Sequence, residues 1–169
     1  MDFRLLRPLA ARCAVIEIRV INDISLVEKT LKEPHIYEAG KDDLCPKSED
    51  FHVPVGLSFI NAGAYDGEEY LGLFLIEPRC GAVVQIHTCL LKSAWNGRTD
   101  ECAQAVIDWV WKNTSANRLV TEVPSFNERA KNYAERHGFS VYGVNESAWV
   151  KDGIYHDVLL LGLTRPLEK

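Results

Sequence analysis

The sequence predicts a single α/β domain: a mixed central sheet of six to seven strands with helices on both faces. Three observations carry that expectation. The 169-residue chain is long enough for one real core and short for two. Its apolar residues alternate between period-two and helical spacing, in the order β α β β β α β α β β. Three consecutive strand segments are joined by links that suit only antiparallel hairpins, while a long helical segment separates the next two strands. The domain is expected over 14–165, after an N-terminal extension (1–13) and before a short tail (166–169).

The first strand is "AVIEIRVI" (14–21), which alternates and is β-branched. In "NDISLVEKTLKEPHIYE" Ile24, Val27 and Leu31 keep helical spacing until Pro34, which breaks or kinks the helix. The polar stretch 39–50 reads as a loop. A strand "HVPVGLSFI" then ends in a turn "NAGAYDG". "EEYLGLFLIE" ends in "PRCG", and "AVVQIHTCLL" runs into "KSAWNGRT". Residues 99–113 are the clearest helix, with Ala103, Val106, Ile107, Val110 and Trp111 on one face. "NRLVTEV" (117–123) is a strand. Ser125 and Glu128 form a capping box that starts the next helix, and Gly138 is placed to stop it. Two final strands flank the hairpin signal "KDG".

Composition narrows the function. With 47% apolar and 25% charged residues the chain is that of a soluble globular protein, so a cytoplasmic location is expected. The net charge is −5 and no basic block occurs, which disfavours nucleic acid as a partner. The longest apolar runs, such as "LGLFLI", are too short to cross a bilayer, so no membrane is expected. Five cysteines without a C-x-x-C pair, and histidines without ligand spacing, argue against a disulfide framework and a metal site. A reducing compartment suits such cysteines.

The element order and the run "NERAKNYAERHGF" (127–139) resemble the GNAT acyltransferases (GCN5-related N-acetyltransferases), whose Asn-x-x-Ala helix ends in Gly-Phe. The resemblance extends over nearly the whole domain. Within it, "HTCLL", "NGR", the "WVW" helix end and the C-terminal "GLTR" are similar to GNAT-like proteins of tailed bacteriophages. The resemblance implies an acyl-CoA cofactor, acetyl-CoA by expectation, held where two neighbouring parallel strands splay apart. Those strands are "AVVQIHTCLL" and "NRLVTEV". The pantetheine is then expected on Cys89, Leu90 and Leu91, with the pyrophosphate on the amides of the following helix start.

That helix start departs from the family's R/Q-x-x-G-x-G/A loop. Asn96 stands for the Arg, Gly97 for the first Gly, Thr99 for the second and Glu101 for the third. Thr99 can serve as a helix cap. Asp100 and Glu101 put two carboxylates where a pyrophosphate is expected, and Arg98 offsets part of their charge. Asn127 matches the family's Asn beside the cofactor. The residue expected to protonate the departing thiolate lies four before Gly138, which is Ala134. Tyr133 is one residue early, about 100° around the helix.

For a base, His87 lies on the strand that would carry the acyl group, and Glu122 on its neighbour. The resemblance thus implies an N-acetyltransferase acting by direct transfer to an amine, with His87, Glu122 and Tyr133 as catalytic candidates. The alternative it implies is a non-catalytic GNAT-like phage protein that meets structural proteins of the virion. The amine's pocket is expected from 24–50 and the 143–155 hairpin.

Overall fold

The computed structural model describes residues 15–54 and 59–167; the N-terminal extension lies outside them. Among the described residues seven strands form one sheet: β1 (Ile16–Val20), β2 (Ile60–Asp66), β3 (Glu69–Cys80), β4 (Val83–Leu90), β5 (Arg118–Pro124), β6 (Ser140–Lys151) and β7 (Ile154–Thr164). Their order is β1-β2-β3-β4-β5-β7-β6. Only β4 and β5 are parallel; every other neighbouring pair is antiparallel. The helices are α1 (Ile24–Leu31), α2 (Pro34–Gly40), α3 (Thr99–Asn113) and α4 (Glu128–Arg136). The mixed α/β sheet with helices on both faces is as the sequence predicts, and helix 99–113 joins the parallel pair.

The apolar residues sort by face. Val106, Ile107 and Val110 of α3 and Ala134 of α4 pack on Val84, Ile86, Leu119, Val123 and Leu161. Val27 of α1 packs with Leu73 and Cys89 on the opposite face. Pro34 ends one helix and begins the next: it occupies the first turn of α2, where its missing N–H costs nothing. Gly138 has φ +85 and stops α4 as expected. Asp152 and Gly153, with φ +53 and +73, make the two-residue turn between β6 and β7.

Two local expectations are corrected. The stretch "NAGAYD" is not a turn but β2 itself. Ala62 and Ala64 are fully buried under α3, and Gly63 lies against Ile21 and Tyr65, where a Cβ would come within 2.6 Å of Ile21. Small residues here answer a packing demand rather than a turn. Residues 52–54, placed in that strand by the sequence, have no regular structure. Secondly, Ser125 does not cap α4. Its N–H continues the β5–β7 ladder by donating to Asp157 O at 2.8 Å, and Asn127 is the cap, its Oδ1 accepting from Ala130 N at 3.1 Å.

Candidate active site

The parallel pairing of β4 and β5 spans only three residue pairs, Val83–Arg118, Val84–Leu119 and Gln85–Val120. Both strands continue beyond this, held from their outer sides by β3 and β7. The sheet therefore opens like a V. A cavity of about 760 Å³ occupies the opening and reaches both faces of the sheet.

The direction of each backbone group follows from the ladders. Leu91 donates to Leu71 O on β3, and Ala82 O accepts from Asn117 and Arg118 on the β5 side. Alternation then turns the N–H and C=O of Ile86 and Thr88 toward the opening and those of His87 and Cys89 toward β3. Of the three residues expected to hold the pantetheine, Cys89 and Leu91 have backbone groups facing β3 and Leu90 faces the opening. Leu91's amide is taken by Leu71, Cys89 is buried and faces β3, and Leu90 O accepts from His35 Nε2 at 3.0 Å. Ile86 and Thr88 supply the free edge instead. The sequence contains the signal for this in its period-two register, but not the identity of the bonded side.

At the mouth, Gly97 turns with φ +88, and α3 begins at Thr99. Thr99 is not the cap. The cap position is Arg98, in helical backbone and with no side-chain bond, so the first-turn amides have no side-chain acceptor. Arg98 is also not a cation for this loop. Its guanidinium makes ion pairs with Glu69 at 2.7 Å and Asp66 at 3.1 Å, donates to Ser93 O, and its own amide bonds Ala94 O. The carboxylates beside it hold the guanidinium even more firmly protonated than usual. Asp100 is neutralised from α4: Arg136 lies 2.9 Å and His137 3.1 Å from its Oδ1, and the Arg136 bond keeps the carboxyl below its ordinary range. Of the two acids in the first turn, only Glu101 remains unpaired among the described residues.

Two basic groups of α4 thus face this mouth, Arg136 on Asp100 and Arg129, whose guanidinium lies 4.0 Å over the Trp95 ring. Arg129 has no ion-pair partner among the described residues. Trp95 in turn meets His35 edge-on, with centroids 5.1 Å apart. Neither Trp95 nor Arg129 stands out in the sequence, because their importance comes from two helices converging on one loop. Tyr133, one turn after Arg129, donates its hydroxyl to Thr99 O at 2.8 Å, and burial pushes its phenol pKa up. Asn127, Tyr133 and Ala134 all line the cavity.

His87 and Glu122 line the other side, toward α1 and α2. His87 is half-buried on β4 and Glu122 is exposed on β5, across the opening. Burial lowers the His87 pKa below its ordinary 6.5, partly offset by the Glu77 and Glu122 carboxylates. Cys89 is sealed beneath, its thiol pushed by burial up to about 12, so it supplies no thiolate near neutrality. The loop 41–50 closes this side; residues 39 and 40, expected in it, belong to the end of α2. Asp43 pins it to the β6–β7 turn by accepting from Asp152 and Gly153 N–H, both at 2.8 Å.

No family model matches this chain, and no curated protein is similar to it in sequence. Its shape is shared with solved structures. The spermidine N-acetyltransferase from Vibrio cholerae, in complex with CoA and spermine, superposes with a TM-score of 0.73 at 12% identity, over 89% of this chain and 95% of that one. An acetyltransferase of the GNAT family from Streptococcus pneumoniae gives 0.65 at 17%, over 89% and 99%. A GCN5-related N-acetyltransferase from Kribbella flavida gives 0.65 at 18%, over 89% and 98%. At such identities the likeness is one of fold, and the fold of this chain is the GNAT fold.

Proposed function

We propose that the chain is an acetyl-CoA-dependent N-acetyltransferase that transfers the acyl group directly to an amine within the β4–β5 opening. The observation that carries this reading is the break in parallel pairing after Gln85 and Val120, beside a helix start whose amides lack a side-chain cap. That pair of features fits the group. The amide and carbonyl of Ile86 and Thr88 offer an extended edge to an amide-bearing arm, and the α3 N-terminus with Arg129 offers a place for phosphate.

Acetyl-CoA would supply the activated thioester. His87, held neutral by burial, takes the proton from the ammonium, and Glu122 across the opening orients that ammonium. With the cofactor bound, Tyr133 would be the residue holding a proton for the leaving thiolate; in this structure its hydroxyl donates to Thr99 O, a bond it would have to exchange. The Tyr133→Phe protein is therefore expected to lose about 10²-fold in turnover, the low end for a general acid. The lost bond to Thr99 costs on the order of 1 kcal/mol, read as a small fall in melting temperature.

Calorimetry with acetyl-CoA on the full chain tests the reading directly. Saturable binding that weakens with salt is expected, and absence of binding overturns it. The electrostatics of the mouth refine the expectation. Asp100 already has a cationic partner in Arg136, so the residual repulsion belongs to Glu101. Glu101→Gln should tighten acetyl-CoA about two- to fivefold at low salt, the 0.3–1 kcal/mol of one exposed charge near a helix start. Asp100→Asn should not match it, because that change also removes the tether to Arg136.

The second reading, a non-catalytic phage protein in contact with virion proteins, draws on two observations: a single glycine remains in the Asn96–Glu101 loop, and Ala134 holds the acid's expected place. Acetyl-CoA binding without turnover of any amine would favour it.

A further inference from the structure

The seat of the acyl-CoA arm is latched in the free protein; this rests on the acyltransferase reading. We infer that the His35 side chain of α2 is a latch across the entrance of the β4–β5 opening, which the arm displaces on its way to His87.

The route fixes where a latch can act. Parallel pairing ends at Gln85 and Val120, and the backbone groups of β4 that face the opening beyond it are those of Ile86, Thr88 and Leu90. β4 runs toward the start of α3, so Leu90 is the nearest of the three to Thr99 along the chain. An arm with its phosphates at the α3 amides and its thioester beside His87 passes Leu90 before it reaches Thr88 and Ile86. His35 stands on that route. Its Nε2 donates to Leu90 O at 3.0 Å and so takes the first carbonyl that the arm meets.

Three elements close together at this point. His35 comes from α2 on one side of the sheet and Arg129 from α4 on the other, and both pack on Trp95 of the helical turn Lys92–Trp95. Trp95 is half-buried, and it lines the cavity together with Leu90, His35 and Arg129. The row His35–Trp95–Arg129 thus spans the entrance from one face of the sheet to the other.

The latch is also built to release. A carbonyl oxygen only accepts, so the His35 proton is on Nε2 and Nδ1 is left as an acceptor. Nδ1 is buried and meets no donor among the described residues. Closed, the ring makes one hydrogen bond and leaves one nitrogen unsatisfied; swung into water, it satisfies both. The helix itself can stay in place, because its far end is tied down. Tyr37 donates to Pro46 O, and Lys151 donates to Glu38 O at 2.6 Å. One side chain on a fixed helix, held by one bond, has to move.

Calorimetry and stopped-flow on the full chain compare acetyl-CoA with ADP, which carries a pyrophosphate but no arm. His35→Ala should bind acetyl-CoA about two- to tenfold more tightly, the net worth of one neutral hydrogen bond, through faster association. Its affinity for ADP should stay that of the parent. The parent alone gives a second test that needs no variant to fold. The His35 Nε2–H should appear in proton–nitrogen NMR spectra of the free protein as a slowly exchanging imidazole signal, and saturating acetyl-CoA should remove it. Equal or weaker acetyl-CoA binding by a folded His35→Ala protein overturns the latch, as does a His35 signal that persists at saturation. Equal tightening of ADP also overturns it, since ADP has no arm to pass Leu90. If neither the parent nor His35→Ala binds acetyl-CoA, the acyltransferase reading fails and the latch falls with it.

Discussion

Replacing His87 by Gln is expected to lower turnover by 10²–10⁴-fold with little change in acetyl-CoA affinity. His87 stands on the strand that borders the opening, with Glu122 across from it, whereas the cofactor's expected contacts are backbone groups of Ile86 and Thr88 and the start of α3. The replacement keeps a polar side chain that can hydrogen-bond and removes the titrating imidazole. The pH profile gives an independent check. Burial disfavours the imidazolium, so the base stays neutral to a lower pH than a free histidine. The acid limb of kcat/KM should therefore lie below 6.5 in the parent and vanish from the residual activity of His87→Gln. The same shift bears on stability. A folded-state pKa below the unfolded value means the unfolded chain binds more protons in that window. The contribution is fully present above the unfolded pKa and is lost as pH falls through the folded one. Measured between neutrality and mild acid, unfolding of the parent should show this slope and His87→Gln should reduce it. An acid limb that persists in His87→Gln would assign it to another group.

Gly72→Ala should be among the most damaging single methyl groups that can be added to the sheet. Gly72 has φ +119 at a bulge where β3 shifts register against β2. A Cβ there would sit 2.5 Å from Cys89 O, 2.6 Å from Leu90 Cα and 2.8 Å from Leu91 N. All three are backbone atoms of the end of β4, so no side chain can swing aside. Backbone strain and overpacking together put the loss on the order of 4 kcal/mol, or roughly 10 °C in melting temperature for a domain of this size. Gly67→Ala is the matched control. It too has positive φ, +61, but nothing lies within 4 Å of its Cβ position. It should cost only about 1–2 kcal/mol, the strain of one left-handed residue. Equal losses at the two positions, followed by calorimetry, would mean that close packing of β3 on β4 is not what the glycine serves. In a Gly72→Ala protein that still folds, acetyl-CoA should also bind more weakly, because the displaced segment borders the opening.

Much of the fold was legible because it is encoded locally. Helix 99–113 falls where its apolar spacing puts it, Gly138 stops α4, and Asp152-Gly153 makes the last hairpin. Each depends on residues within a turn or two of one another. The parallel, adjacent placement of β4 and β5 was also legible, since a long helix between two strands forces a crossover. β2 was misread because Ala62, Gly63 and Ala64 carry a turn's composition for a packing reason: α3 and Ile21 leave no room for larger side chains. Asn127 rather than Ser125 caps α4 because β5 and β7 claim Ser125's backbone first.

The site shows the same division more sharply. The family resemblance and residue type picked out His87, Glu122, Asn127, Tyr133 and the Asn96–Thr99 loop, and of these His87, Glu122, Asn127, Tyr133 and Thr99 line one cavity. Which atoms are free could not be picked out. Arg98 is drawn off by Asp66 and Glu69, 32 and 29 residues away in sequence, and Asp100 is neutralised by Arg136, 36 away. Leu90's carbonyl is taken by His35, 55 residues away. The sequence by itself determined the elements, their order and the segments that meet at the opening, because periodicity, caps and turns act over short range. Only the tertiary structure decided which charges are spent and which backbone edge is open. Those are fixed by partners brought together across the sheet, and charges and hydrogen bonds act through space without regard to sequence distance.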